Sequence, residues 1–179
     1  MVNKQTLVYL TQILRENQVY YGIGGSSLLE KLGLDVTVKD LDIMIDPNDI
    51  QLVDKLFTEY QDKNHKVKDL KFDSLYFMEL SLDQTDVDIM AGFKVNYENK
   101  WYEFPFNKET PTIAINNIDY MLLEDWYVIY YLLDRKTKVS LIENYFSQTK
   151  IIDKTRVSEL VKLELPVDLK LRLTKLLNI

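Results

Sequence analysis

No cysteine occurs among the 179 residues. Disulfides, thiolate zinc sites, iron–sulfur clusters and cysteine nucleophiles are therefore excluded. Histidine is nearly absent too. His65 stands alone in the polar stretch Gln61-Asp62-Lys63-Asn64-His65-Lys66, where a surface position is expected. A histidine-based metal site or a Ser-His-Asp arrangement has no support. No apolar run approaches the roughly 18 residues of a membrane span. The start, MVNKQTLVYLTQILRENQ, has no apolar block leading to a small-residue cleavage site. A cytoplasmic location without membrane contact is the expectation. Excess positive charge is missing as well. Lys and Arg number 22 against 28 Asp and Glu, a net charge of −6. Nucleic acid is therefore not an expected partner, although a local basic pocket for a nucleotide is compatible with that charge. Gly-Lys-Ser/Thr is also absent, which removes the GxxxxGK[ST] phosphate loop.

What is present suffices for a packed domain. The apolar fraction is 46% and the charged fraction 28%, both ordinary for a globular chain. Leu7, Leu10, Ile13 and Leu14 predict an amphipathic first helix. A strand is expected over Val19–Ile23, a turn at Gly24-Gly25, and a short helix from Ser26 to Leu32 stopped by Gly33. Asp40–Ile45 reads as a second strand. Asp46 and Pro47 suit the N-cap and first position of a helix striped by Ile50, Val53, Leu56, Phe57 and Tyr60. Residues 66–115 carry KVKDLKF, SLYFMEL, TDVDIMAGF, KVNY and WYEFPF between polar turns, the pattern of antiparallel hairpins. From Asn117 the period reads as helical, with Ile118, Met121, Leu122, Ile129 and Leu132 on one face. Two more helices are expected over 137–147 and 153–177, the second broken near Pro166. The fold class is α+β: a mixed, mostly antiparallel sheet with flanking helices over residues 1–116, then a C-terminal helical region over 117–179.

The stretch YGIGGSSLLEKLGLDVTVKDLDIMID holds the chemistry. Gly22-x-Gly24-x-x-Ser27 approximates a dinucleotide loop, with Asp42 where a ribose-binding acid would stand. The third glycine is missing, however. The helix is too short for a βαβ crossover, and hairpins follow rather than a second βαβ unit. A different reading uses two aspartates together. Residues two apart on a strand share a face. Asp40, Asp42 and Met44 therefore point one way, and Leu41, Ile43 and Ile45 the other. Paired carboxylates repel unless a cation lies between them, and hard oxygen ligands suit Mg²⁺ or Mn²⁺. The strand Thr85-Asp86-Val87-Asp88-Ile89-Met90 offers a third carboxylate. Asp88 is favoured because the strand continues beyond it; Asp86, nearer the turn at Asp83-Gln84, is the alternative. Glycines at 24 and 25 let backbone approach phosphate oxygens, and helix N–H groups with the Ser26 and Ser27 hydroxyls supply donors.

Gly24-Gly25-Ser26, then Thr37-x-x-Asp40-Leu41-Asp42-Ile43, then a later strand aspartate resembles the nucleotidyltransferase superfamily with the DNA polymerase β-like fold. The likeness is to its small bacterial members, the lincosamide- and aminoglycoside-type antibiotic enzymes and the minimal nucleotidyltransferases, and spans about residues 19–92. The resemblance implies transfer of a nucleoside monophosphate from a triphosphate, ATP first among candidates, to a hydroxyl of a small molecule or protein, releasing pyrophosphate. It implies Asp40, Asp42 and Asp88 as metal ligands, with Asp88 helping remove the acceptor proton. Lys39 would contact phosphate beside Gly24, Gly25, Ser26 and Ser27. Many relatives carry a cation on a later helix. The matching stretch here has Tyr130 and Tyr131, and the nearest cations are Arg135, Lys136 and Lys138. A second implied reading is a binding module of the same fold, antitoxin-like with a toxin-like protein partner or nucleotide-sensing, with little or no catalysis.

Overall fold

Among the described residues three hairpins organise the sheet, and none is closed by glycine. The computed structural model describes residues 2–60 and 72–179. His65 and the strand expected over 66–72 lie outside the described residues, apart from the backbone of Phe72. Turns Asp83-Gln84, Glu98-Asn99 and Asn116-Asn117 each place both residues at positive φ, between 49° and 64°. That is the conformation a two-residue hairpin needs to match strand twist. They join β3 (Phe72–Leu82) to β4 (Thr85–Tyr97), β4 to β5 (Lys100–Phe104), and β6 (Thr112–Ile115) to β7 (Ile118–Met121). The first two turns were expected from composition.

The third corrects the helical reading of 118–122. Ile118, Met121 and Leu122 fit a helical period, but Asn116 and Asn117 tolerate the left-handed region. They fold the chain back, so that Ile118 and Tyr120 bury on alternate residues. Helix begins at Leu123 as α4 (Leu123–Leu132). The composition shift at 116 thus falls at a hairpin tip. TDVDIMAGF and KVNY are one strand, β4, continuous through Gly92.

The remaining elements match expectation closely. α1 (Lys4–Glu16) is capped by Asn3, whose side chain accepts from Gln5 N, and it buries Leu10 and Leu14. β1 (Tyr21–Ile23) leads into α2 (Gly25–Lys31) and then β2 (Asp40–Ile45). Asp46 accepts from Asn48 N at 2.7 Å and starts a 3₁₀ turn that runs into α3 (Ile50–Phe57). α5 spans Lys136–Thr149, and the last expected helix is split into α6 (Lys154–Leu160) and α7 (Val167–Leu176), with Pro166 as N-cap of α7.

The sheet order is β3-β4-β2-β1-β7-β6, with β5 paired to β4. β2 runs parallel to β4 and β1 parallel to β7; the other pairs are antiparallel. This is a mixed, mostly antiparallel sheet with helices, the α+β class expected. One apolar cluster runs through the molecule, from Leu10 and Phe57 to Tyr127, Phe146 and Leu173. α4 is buried on nearly every side, including Glu124 and Asp125. Those acids tie in the C-terminal helices. Glu124 accepts from Asp153 N at 2.7 Å, and Arg156 Nε on α6 donates to Asp125 at 2.7 Å. Among the described residues no helix is long and apolar enough to cross a membrane.

Candidate active site

The parallel pairing of β2 with β4 sets the site. In that register Asp40 lies opposite Asp86, and Asp42 opposite Asp88. In-register parallel neighbours share a pleat phase, so all four acids face one side of the sheet. Strands sit about 4.8 Å apart and alternate residues about 6.5 Å apart along each strand. β3 extends the patch, with Glu79 opposite Asp88 and Ser81 opposite Asp86. The opposite face of β2, Leu41, Ile43 and Ile45, is fully buried and fixes the register. Asp40, Asp42 and Asp88 are half-buried, whereas Asp86 is exposed beside the turn.

Crowding shows in the acidities. The Asp42 carboxyl is pushed up to about 7, first by burial and then by the charges of Asp40 and Asp88, with Arg135 opposing. Asp88 is also pushed up to about 7, by burial and then by Asp40, Glu79 and Asp86. Carboxylates pressed together without a cation favour holding protons.

The Gly-Gly turn closes over this patch. Gly24 N donates to Asp42 O at 2.9 Å, which ties the turn to β2. A Cβ on Gly24 would lie 1.7 Å from Trp126 Nε1, so the indole packs directly on this residue. Gly25 has φ +60°, and a Cβ there would meet Asp42 Oδ2. Beyond the turn, Ser26 Oγ accepts from Lys138 Nζ at 3.4 Å. Tyr130 is buried beside Ser26 and Asp42; burial and then the Asp42 charge raise its phenol pKa. Lys138 is held below the ordinary lysine range by burial, with Asp40 countering.

The structure therefore brings Asp40, Asp42, Asp88, Gly24, Gly25 and Ser26 together. Lys39 is exposed just before β2. Ser27 lines a separate hollow with Lys4, Lys31 and Tyr120, and its buried Oγ has no hydrogen-bond partner among the described residues. Sequence reasoning left Arg135 and Lys138 without a role. Arg135 and Lys138 stand three apart at the start of α5, a spacing that puts two cations on one helix face. That spacing was the signal available in the sequence. Only the fold shows that this face meets the Gly-Gly-Ser turn.

In the side-chain conformation described, no three acidic or histidine groups among the described residues converge on one point. The donors are nonetheless hard oxygens on adjacent rungs of one face, the chemistry that suits Mg²⁺ or Mn²⁺. Gly25 leaves the space that Asp42 Oδ2 occupies. Carboxylate rotation is the movement that would close the set, and the residues fit such an ion on those terms.

No protein-family model matches the chain, and no curated protein matches it. Two solved structures do. One is a Thermotoga maritima protein provisionally assigned as a nucleotidyltransferase. It has a TM-score of 0.60 and 24% identity, over 83% of this chain and 96% of that one. The other is the lincosamide antibiotic adenylyltransferase LnuA with lincomycin bound. It has a TM-score of 0.51 and 14% identity, over 79% of this chain and 97% of LnuA. The chain has the nucleotidyltransferase fold.

Proposed function

We propose that this chain, which has the nucleotidyltransferase fold, transfers a nucleoside monophosphate from a triphosphate to a hydroxyl and releases pyrophosphate. The observation that carries the reading is the pairing of Asp42 with Asp88 across parallel strands, with Gly25 held against the Asp42 carboxylate. A strand pair lined with acids is costly unless it holds cations, and a glycine turn with cations behind it suits phosphate. LnuA's adenylyl transfer points to ATP as donor.

In this reading Asp40, Asp42 and Asp88 would hold one or two Mg²⁺ or Mn²⁺ ions, which would supply a clamp for in-line displacement at phosphorus. The chain's own residues do the rest. Gly25 and Ser26 offer backbone N–H groups and a hydroxyl to the triphosphate tail, on a turn that the Gly24 N–H fixes to β2. Lys138 neutralises that tail beside Ser26, and Arg135 adds positive charge at the Asp42 end. Lys39, exposed at the start of β2 and out of phase with the acids, and Ser27, which lines the separate hollow, take no part in this scheme. Asp88 accepts the proton of the attacking hydroxyl.

The test is label transfer. The protein is incubated with α-labelled ATP, Mg²⁺ and a small-molecule cell extract, and pyrophosphate and labelled product are measured. Transfer is expected with the wild type and absent with Asp42→Asn. Equal transfer by Asp42→Asn would sink the proposal.

A further inference from the structure

The hollow lined by Ser27 is not part of the aspartate site, since none of Asp40, Asp42, Asp86 or Asp88 borders it. Its volume is about 890 Å³, the size of a pocket for a small organic ligand. It lies between α1 and α2. The segment from Val36 to Val38 and the residues Ile118 and Tyr120 of β7 complete the wall. Most of that wall is apolar, and Val8 on α1 is 53% exposed at its edge.

Polar groups in the hollow lack partners. The Ser27 hydroxyl is buried and makes no hydrogen bond among the described residues. With its oxygen sealed from solvent, Ser27 forms part of the wall and supplies no contact atom. Lys4 and Lys31 border the same space and form no ion pair among the described residues. The Lys31 ammonium sits 6.0 Å from the centroid of the Tyr120 ring. Among the described residues Glu30 is the one acid bordering the hollow, against these two lysines. An apolar floor under a net positive rim selects an apolar body with an anionic end.

We infer that this hollow is a second binding site, for a small amphipathic anion. Its apolar part fills the space between α1 and α2, and its carboxylate, sulfonate or phosphate lies at Lys4 and Lys31. An occupant touches the helix that begins at Gly25 and the segment that leads into Asp40, so it borders both arms of the aspartate site. The inference stands apart from the transferase reading, because it concerns binding alone.

Two fluorescent probes test it: 8-anilino-1-naphthalenesulfonate and its uncharged counterpart, N-phenyl-1-naphthylamine. The anion is expected to saturate at a single equivalent and to bind several-fold more tightly than the neutral probe, as exposed lysines would give. Lys4→Gln/Lys31→Gln is expected to remove that preference while both probes still bind. Val8→Trp, at an exposed helix position, is expected to block both probes with the circular-dichroism melt unchanged. Equal affinity for the two probes in the wild type, a preference that survives the double lysine change, or probe binding unaffected by Val8→Trp would each overturn the inference.

Discussion

A Cβ on Gly25 would lie 1.8 Å from Oδ2 of Asp42. That distance ties the glycine turn to the acid patch more directly than sequence spacing could. Gly25→Ala therefore carries two penalties: a left-handed φ of +60° for an L side chain, and a collision with a carboxylate. The expected loss is about 1–3 kcal/mol of stability, or several degrees in Tm, together with loss of Mg²⁺-ATP binding. Gly33→Ala is the control. Its φ is +83°, but nothing lies within 4 Å of its Cβ. It should lose stability from backbone strain alone and keep nucleotide binding. Thermal melts and ATP titrations on both variants separate the effects.

Acid crowding predicts an unusual pH profile. Asp42 and Asp88 each rise from the ordinary 3.8 to about 7 in the folded chain. A folded pKa above the unfolded one means that the folded state binds the proton more tightly. Stability from these groups is thus full below pH 3.8 and is lost as pH rises toward 7. Without metal, Tm should be higher at pH 5.5 than at pH 8, once the trend of the other groups is subtracted with Asp42→Asn. Added Mg²⁺ should raise Tm at pH 8 far more than at pH 5.5, and Asp42→Asn should blunt both effects. A flat difference between wild type and variant across this range would contradict the crowding.

One buried ion pair helps to hold the C-terminal helices. Arg156 Nε donates to Oδ1 of Asp125, whose side chain is fully buried, and Asp125 Oδ2 has no hydrogen-bond partner among the described residues. Arg156→Leu would leave that carboxylate buried without a counterion, at a cost of about 3–5 kcal/mol. Asp125→Leu/Arg156→Leu removes both charges and should recover most of the loss. Urea denaturation of the three proteins gives the result. Recovery by the double change separates an ion-pair defect from a packing defect.

Lys138 and Lys136 share one helix but not one role. Lys138 donates to Ser26, while Lys136 pairs with Asp134 in solvent. Lys138→Met should weaken ATP binding by about tenfold, in line with about 1.5 kcal/mol for a charge-assisted contact, and leave AMP binding unchanged. Lys136→Met should change neither. Calorimetric titration with ATP and AMP distinguishes a tail contact from general loss of charge.

Asp40 and Asp42 alternate with buried Leu41 and Ile43, so their shared face followed from strand period alone. The neighbour of Asp42 could not be read that way. Asp86 and Asp88 both alternate correctly, and only the β2–β4 register puts Asp88 beside Asp42. Ile118–Met121 misled because apolar residues three apart fit a helix as well as a short buried strand, and Asn116-Asn117 is a weaker turn signal than Asn-Gly. Arg135 and Lys138 were visible as cations, but their meeting with the turn is a long-range contact, with Lys138 112 residues from Ser26. Local pattern carries no record of such a contact.

The most direct measurement of the central claim is ATP affinity at pH 8, with Mg²⁺ and with chelator, for the wild type and Asp42→Asn. The account predicts tight binding only for the wild type with Mg²⁺, and loss in the variant while its circular-dichroism spectrum is unchanged. Equal binding without metal, and equal binding by Asp42→Asn, would contradict it.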